Sequence, residues 1–360
     1  MKKTITLLLC LMLVASMAAC TGGTTETAVS ATEEPVAEET VAEEVPAATE
    51  EAAEPEVTTV AQPDGYPSET IEAVLPIGAG ASLDLHFRAL EAAMDLGGAV
   101  AIVNMPGASQ VTGVTEMSKR DGDGYSIGAS AFAGLVIQPN VVAVEYSLDD
   151  FRHIVALNEP SGVAIATLPG TGLDTFDDIL AKIESGEKLV FTTSNVQNVS
   201  HLAMLSVFDQ LGISMDQVTY VPFSGTAEVK TALLGGHVDM IVMDTDFVAE
   251  EVEQGTMVCP AVLENERNPK IDAPSISEYG VTDMDPFSGF LWVFVPADTP
   301  DDIVEWLKQQ MNEALMSDSY QAFLASTNKE MTEIRSEEEI TAALKKASDT
   351  YAALLAKYFS

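Results

Sequence analysis

The sequence predicts an α/β protein of two lobes, on three observations. Short apolar runs alternate with helical stretches along residues 66–360, small polar residues crowd the loops after those runs, and one pair of runs is joined with no helix between them. Alternation of this kind builds mostly parallel sheets with helices on both faces. The helix-free join leads the chain from one such unit into another, and a late apolar run brings it back.

The amino end is a different material. Lys2 and Lys3, an apolar stretch at 5–14 and the small residues Ser16, Ala18 and Ala19 before Cys20 have the form of a secretory signal. The stretch is too short and wrongly flanked for a spanning helix. A cysteine after small residues resembles the acylation site of bacterial lipoproteins, so Cys20 is the expected lipidated residue, with plain cleavage as the alternative. Residues 21–65 carry twelve acids and no Lys or Arg. They cannot bury enough apolar area to offset their ordering entropy, and self-repulsion extends them. This reads as a disordered acidic tether holding a domain away from a membrane.

Lys and Arg number 17 against 56 Asp and Glu, for a formal net charge of −39. A surface that acidic is unsuited to nucleic acid or anionic lipid. Small ligands are not excluded, because local backbone dipoles can outweigh screened surface charge. Of the three cysteines, Cys10 leaves with the signal, Cys20 is the anchor, and Cys259 stands alone in an apolar run. Neither a disulfide framework nor metal-ligand spacing is present, and no cofactor or metal is expected.

The globular part opens with a strand at 71–76, followed by Ile77-Gly78-Ala79-Gly80-Ala81-Ser82-Leu83-Asp84 and a helix over 84–96. Glycines in such a loop let N–H groups face outward, and the helix turns its positive end toward the same spot, which makes an anion cradle. A strand at 99–103, a turn at 104–108, a helix around 111–119 and a strand at 125–128 follow, with the small-residue loop 130–133 at its end. Runs at 154–157 and 163–167 form the helix-free crossover. The alternation resumes with a helix at 177–183, a strand at 189–192, a loop at 193–200 and a helix at 201–211. A strand at 219–221, a loop at 222–226 and a helix come next, then a strand at 238–242, the loop 243–246 and a helix at 247–254. Strands at 257–263 and 290–295 precede a helical carboxyl end. In open α/β sheets ligands bind outside the carboxyl ends of the strands, where these loops lie.

The ordered set Tyr66-Pro67-Ser68, Leu75-Pro76-Ile77-Gly78-Ala79-Gly80 with Asp84, Asn104-Met105-Pro106-Gly107-Ala108, Asp121-Gly122-Asp123-Gly124-Tyr125, Tyr220-Val221-Pro222-Phe223-Ser224-Gly225, Leu233-Leu234-Gly235-Gly236-His237-Val238-Asp239 and Val295-Pro296-Ala297-Asp298-Thr299-Pro300 resembles the Bug-type receptors of tripartite tricarboxylate transporters. The likeness covers nearly all of residues 66–360. It implies a type II periplasmic-binding-protein (Venus flytrap) fold, with one lobe from 66–160 and 295–360 and the other from 161–294. It further implies an extracytoplasmic receptor that captures a small carboxylated solute and delivers it to a two-subunit membrane permease; with Cys20 as anchor, a lipid-anchored monomer is expected. Carried over, the family's carboxylate grip points to Gly78, Ala79, Gly80, Ser82, Ser130 and Ala131 on one lobe. Across the cleft it points to Ser194, Asn195, Asn198, Ser200, His201, Gly225, Thr226 and Asp244. Ala81 and Leu83 depart from the family's usual glycine and hydroxyl residue.

Several residues keep two readings. Asp84, Asp244 and Asp246 begin helices, so capping is open to each beside ligand contact. His201 is either a ligand contact or a structural group, and Phe290 either packs against the solute or belongs to the core. An extracytoplasmic enzyme acting on a small anionic metabolite is the alternative function. Against it, Gly78-Ala79-Gly80 is only half a dinucleotide fingerprint, with Leu83 at the third glycine position. There is also no Gly-x-Ser-x-Gly elbow to present a nucleophile. A purely adhesive surface protein would leave the polar strand-end loops without a purpose.

Overall fold

The computed structural model describes residues 59–359, which belong to one compact unit. The predicted signal, Cys20 and the tether as far as residue 58 lie outside the described residues. At its described end the chain already touches the body, where the Val60 N–H donates to Gln309 Oε1 at 2.5 Å.

In chain order the first half runs β1 (Ile71–Leu75), α1 (Ser82–Ala93), β2 (Val100–Asn104), α2 (Val111–Met117), β3 (Ser126–Ser130) and β4 (Phe151–Ala156). The middle runs β5 (Val163–Ala166), α3 (Phe176–Glu184), β6 (Leu189–Thr192), α4 (Val199–Gln210), β7 (Val218–Tyr220), α5 (Thr226–Leu234), β8 (Met240–Asp244) and α6 (Thr245–Glu253). The chain then returns through β9 (Trp292–Pro296) to α7 (Asp301–Leu315), α8 (Asp318–Ser326) and α9 (Glu337–Tyr358).

Two sheets result, ordered β2-β1-β3-β9-β4 and β5-β8-β6-β7. The helix-free crossover from β4 to β5 carries the chain from the first to the second, and β9 brings it back between β3 and β4. Parallel pairing holds around β1 and β6, while β9 is antiparallel to both neighbours and β5 to β8. The returning strand reverses direction because it enters from the other sheet instead of through a βα turn.

Strand β1 is flanked by β2 and β3 and is apolar enough for both faces to be covered: Ile71, Ala73, Val74 and Leu75 are fully buried. Its one acid, Glu72, meets Arg120 at 2.7 Å. Gly128 on β3 lies opposite Phe294 on β9, and a Cβ there would fall 2.4 Å from the phenyl ring. The two strands meet closely because this position has no side chain.

The run at 257–263, predicted as a strand, is not one. It follows β5 through isolated bridges, Ala164 to Val262 and Thr167 to Val258. Pro260, which has no N–H to offer, sits in the middle of the run and interrupts the ladder.

Helix α9 opens on a capping box, Ser336 with Glu339, and packs on both β4 and α4. At its far end the Tyr358 hydroxyl is 3.3 Å from Asp209 on α4, and Lys357 pairs with the same carboxylate. One helix therefore braces both halves of the molecule.

Candidate ligand-binding site

The strand ends of the two sheets converge on a cavity of about 290 Å³. From the first half come Ser82 at the start of α1, Ala131, Phe132 and Ala133 after β3, and Ile137. From the second come Val163 on β5, Asn198 and Val199 at the start of α4, and Asp244 at the end of β8. The connecting segments add Asn158, Ser161, Gly289, Phe290, Leu291 and Lys329. Most of the wall is apolar, with Phe132 and Phe290 meeting edge to face at 5.3 Å between ring centres. A small set of polar groups on an apolar wall is the usual build of a small-molecule site.

Five of the residues singled out from the sequence line this cavity: Ser82, Ala131, Asn198, Asp244 and Phe290. Ser82 matters through its backbone as well. Its helix begins after Ala81, which has no side-chain cap to offer, so the N–H groups of the first turn of α1 keep their hydrogen-bonding capacity beside the cavity. Helix α4 differs, because Asn198 Oδ1 accepts from the His201 N–H at 2.9 Å.

The other candidates lie behind the wall or away from it. The Gly80 N–H, with φ at +83°, turns inward and donates to Asp84 Oδ2 at 2.8 Å. Asp84 is buried, and Arg88 Nε at 2.9 Å and Asn104 Nδ2 at 2.8 Å complete its partners. The Arg88 hydrogen bond, helped by those from Gly80 and Asn104, outweighs burial and pulls its pKa down to about 2. Asp84 thus ties the loop after β1 to the end of β2, while Gly78 and Ala79 lie in that loop outside the cavity lining. Ser130 is fully buried and donates to Gln110 Oε1 at 3.1 Å and to the Ala131 carbonyl at 2.9 Å.

His201 is also buried. Its ring stacks on Tyr220 at 3.9 Å, and Nδ1 accepts from the Gln197 N–H at 3.1 Å. Burial pushes its pKa down to about 4, so the ring is neutral and supports the loop before α4. Ser194 Oγ accepts from Asn198 Nδ2 at 3.0 Å, and the Asn195 carbonyl accepts from Thr193 Oγ1 at 2.7 Å. Ser200 is buried in the first turn of α4, and Gly225 and Thr226 begin α5 outside the cavity lining.

The sequence named Asp244 and Asp246 but not Lys329, Lys270 or Ser161, which complete a charged floor around them. Lys329, from the segment after α8, donates to Asp246 Oδ2 at 2.6 Å and stands 3.7 Å from Asp244 Oδ1. Lys270 Nζ reaches the other Asp246 oxygen at 2.7 Å, and Ser161 Oγ lies 3.3 Å from Asp244 Oδ1 and 3.1 Å from Asp246 Oδ2. Burial raises the Asp246 pKa, but the two lysines outweigh it and hold the carboxyl below its ordinary value. Asp244 goes the other way: burial raises its pKa, and the more distant Lys329 only partly opposes this. About half of the Asp244 side chain still opens to the cavity, at 49% exposure. Its Oδ2 receives no hydrogen bond from any described residue. The polar run Asn158 to Ser161 between two strands was the available signal for part of this floor. Nothing in a helical carboxyl end pointed to Lys329.

Two sheets whose strand ends meet around a mostly apolar cavity with a few polar groups define a two-lobed ligand-binding protein. Residues 86–352 match the family described as the tripartite tricarboxylate transporter family receptor, and the chain belongs to that family. Protein BugT of Bordetella pertussis is 27% identical over 264 residues, covering 71% of this chain and 78% of its own. Among solved structures, a TctC solute binding protein from Polaromonas without ligand superposes with a TM-score of 0.72 at 24% identity, over 81% of this chain and 99% of that one. MatC from Rhodopseudomonas palustris with bound malate gives a TM-score of 0.62 at 21% identity, over 81% and 100%. These likenesses carry the two-lobed fold.

Proposed function

We propose that this chain is an extracytoplasmic receptor that captures a small carboxylate between its lobes and delivers it to a two-subunit permease of the tripartite tricarboxylate type. The observation that supports this most is the cavity where both sheets end, with the uncapped first turn of α1 on its rim. A relative of this fold carries malate, which agrees with a carboxylate as cargo. We assign 66–160 and 295–360 to one lobe and 161–294 to the other, although β9, which pairs within the first sheet, already begins at Trp292. Among the residues proposed from the sequence, Ser82, Ala131, Asn198, Asp244 and Phe290 are the ligand contacts, and the rest shape the loops that carry them. A ligand bridging both lobes favours the closed form only through its added contacts to the second lobe.

Ligand binding to the folded state raises stability by mass action, about 2.7 kcal/mol at a hundredfold excess over Kd. The full-length chain is therefore expected to melt several degrees higher with at least one member of a panel of organic acids and amino acids. A panel with no shift, confirmed by calorimetry, refutes the receptor reading.

The chain is also proposed to be a monomer held at the membrane by acylated Cys20, with the acidic segment as spacer. Replacing Cys20 with Ser is expected to move the protein from the membrane fraction to the soluble exported fraction. A Cys20→Ser protein that still sediments with membranes refutes the anchor.

A further inference from the structure

We propose that the cargo is a zwitterionic α-amino acid with an apolar side chain, its ammonium held by Asp244 and its carboxylate by Lys329. This rests on the receptor reading and narrows the solute. Three observations carry it.

The first is size. The cavity of about 290 Å³ lies at the small end of ligand pockets, which run about 300–1,000 Å³. The second is the wall. Ile137, Val163, Phe132, Phe290 and Leu291 make much of the lining apolar, and an anionic group pressed against them loses hydration with no partner in return. The third is the charge inventory. Among the lining residues Asp244 and Lys329 are the only charged side chains. Lys329 is the single cation among those residues, which leaves none for a second or third ligand carboxylate.

The geometry of that pair selects a head group. Lys329 Nζ stands 3.7 Å from Asp244 Oδ1, too far for a hydrogen bond and close to the spacing between the two charges of an α-amino acid. Each ligand charge would meet its opposite, with the open Oδ2 of Asp244 accepting from the ammonium. The uncapped first turn of α1 supports the carboxylate, and the apolar side chain lies on the two phenylalanines. A hydrogen in place of the ammonium removes the bond to Asp244, and a hydroxyl keeps a hydrogen bond but loses the ion pair.

Calorimetry on the full-length chain tests this with L-leucine and L-phenylalanine against 2-hydroxy-4-methylpentanoate, 4-methylpentanoate, malate and citrate. Leucine or phenylalanine is expected to bind at least tenfold tighter than every other member. Asp244→Asn, which keeps an N-capping oxygen for α6, is expected to reduce the preference for leucine over 4-methylpentanoate to about one. Lys329→Met is expected to weaken leucine by at least tenfold. Malate or citrate binding as tightly as leucine overturns the amino-acid assignment and leaves the receptor reading standing. An unchanged preference in a folded Asp244→Asn protein also overturns it. Binding of no carboxylate at all removes the receptor reading with it.

Discussion

Lowering the pH from 7 to 4 is expected to destabilise the protein by up to about 6 kcal/mol through its buried imidazoles. Two buried histidines drive the effect. His153 Nε2 donates to the Leu148 carbonyl at 3.1 Å, and its Nδ1 accepts from Trp292 Nε1 at 3.2 Å, so no acceptor remains for a second ring proton. Burial holds its pKa at about 4, although Glu337 and Asp149 pull the other way. His201 is held at about 4 by the same cause. Both values lie below that of an exposed histidine, about 6.5. Between pH 6.5 and 4 the unfolded chain therefore binds protons that the native state refuses, and stability falls as pH falls.

Each ring contributes about 1.4 kcal/mol per pH unit in that window, and neither contributes above it. His86, also lowered by burial, adds in the same direction, while Asp244, raised by burial, opposes it. Melting temperatures at pH 7, 6, 5 and 4 check this. His153→Gln is expected to remove about one proton from the slope, and a melting temperature constant from pH 7 to 4.5 refutes the account. Against a typical native stability of about 5–15 kcal/mol, the loss is large enough to unfold part of the population.

Replacing Asp84 with Ala is expected to destabilise the fold by about 1–3 kcal/mol and to abolish cargo binding. The carboxylate gathers the Gly80 N–H, Arg88 Nε and Asn104 Nδ2 around one buried point. Removing it takes the acceptor from the partly shielded Gly80 N–H and from one Asn104 Nδ2 proton, at about 1–3 kcal/mol together, while Asn104 keeps the Ile77 carbonyl at 3.2 Å and the half-exposed Arg88 returns to water. The loop after β1 would lose its attachment to the end of β2, and Ser82 would move with it. Asp84→Asn retains an acceptor and is expected to fall between the two. Urea unfolding reads the effect, and an Asp84→Ala protein within 0.5 kcal/mol of the parent refutes this role.

The alternation of strands and helices was legible because each strand carries its own apolar run and each loop its own small residues. The crossover was legible too, since a break with no helix has few other readings. What sequence could not display was the direction of individual groups. Gly78-Ala79-Gly80 reads as a set of outward N–H groups, yet an aspartate four residues beyond Gly80 captures the Gly80 donor. His201 follows a polar loop, but Tyr220 and Phe359 enclose its ring. Lys329 reaches the cavity only because the segment after α8 folds back over the cleft, a contact between positions more than eighty residues apart. Local pattern carries no record of such returns.

The place of β9 in the first sheet also sets the order in which this molecule can be completed. β4 pairs with β9, Phe151 opposite Pro296, and β3 needs the same strand on that flank. A chain emerging amino end first would hold both edges open until nearly three hundred residues had appeared. Contacts of such long sequence separation make for slow folding, and the exposed edges invite foreign strands in the interval. The strand that closes the first sheet late in the chain is therefore also the step before which that sheet cannot stand alone.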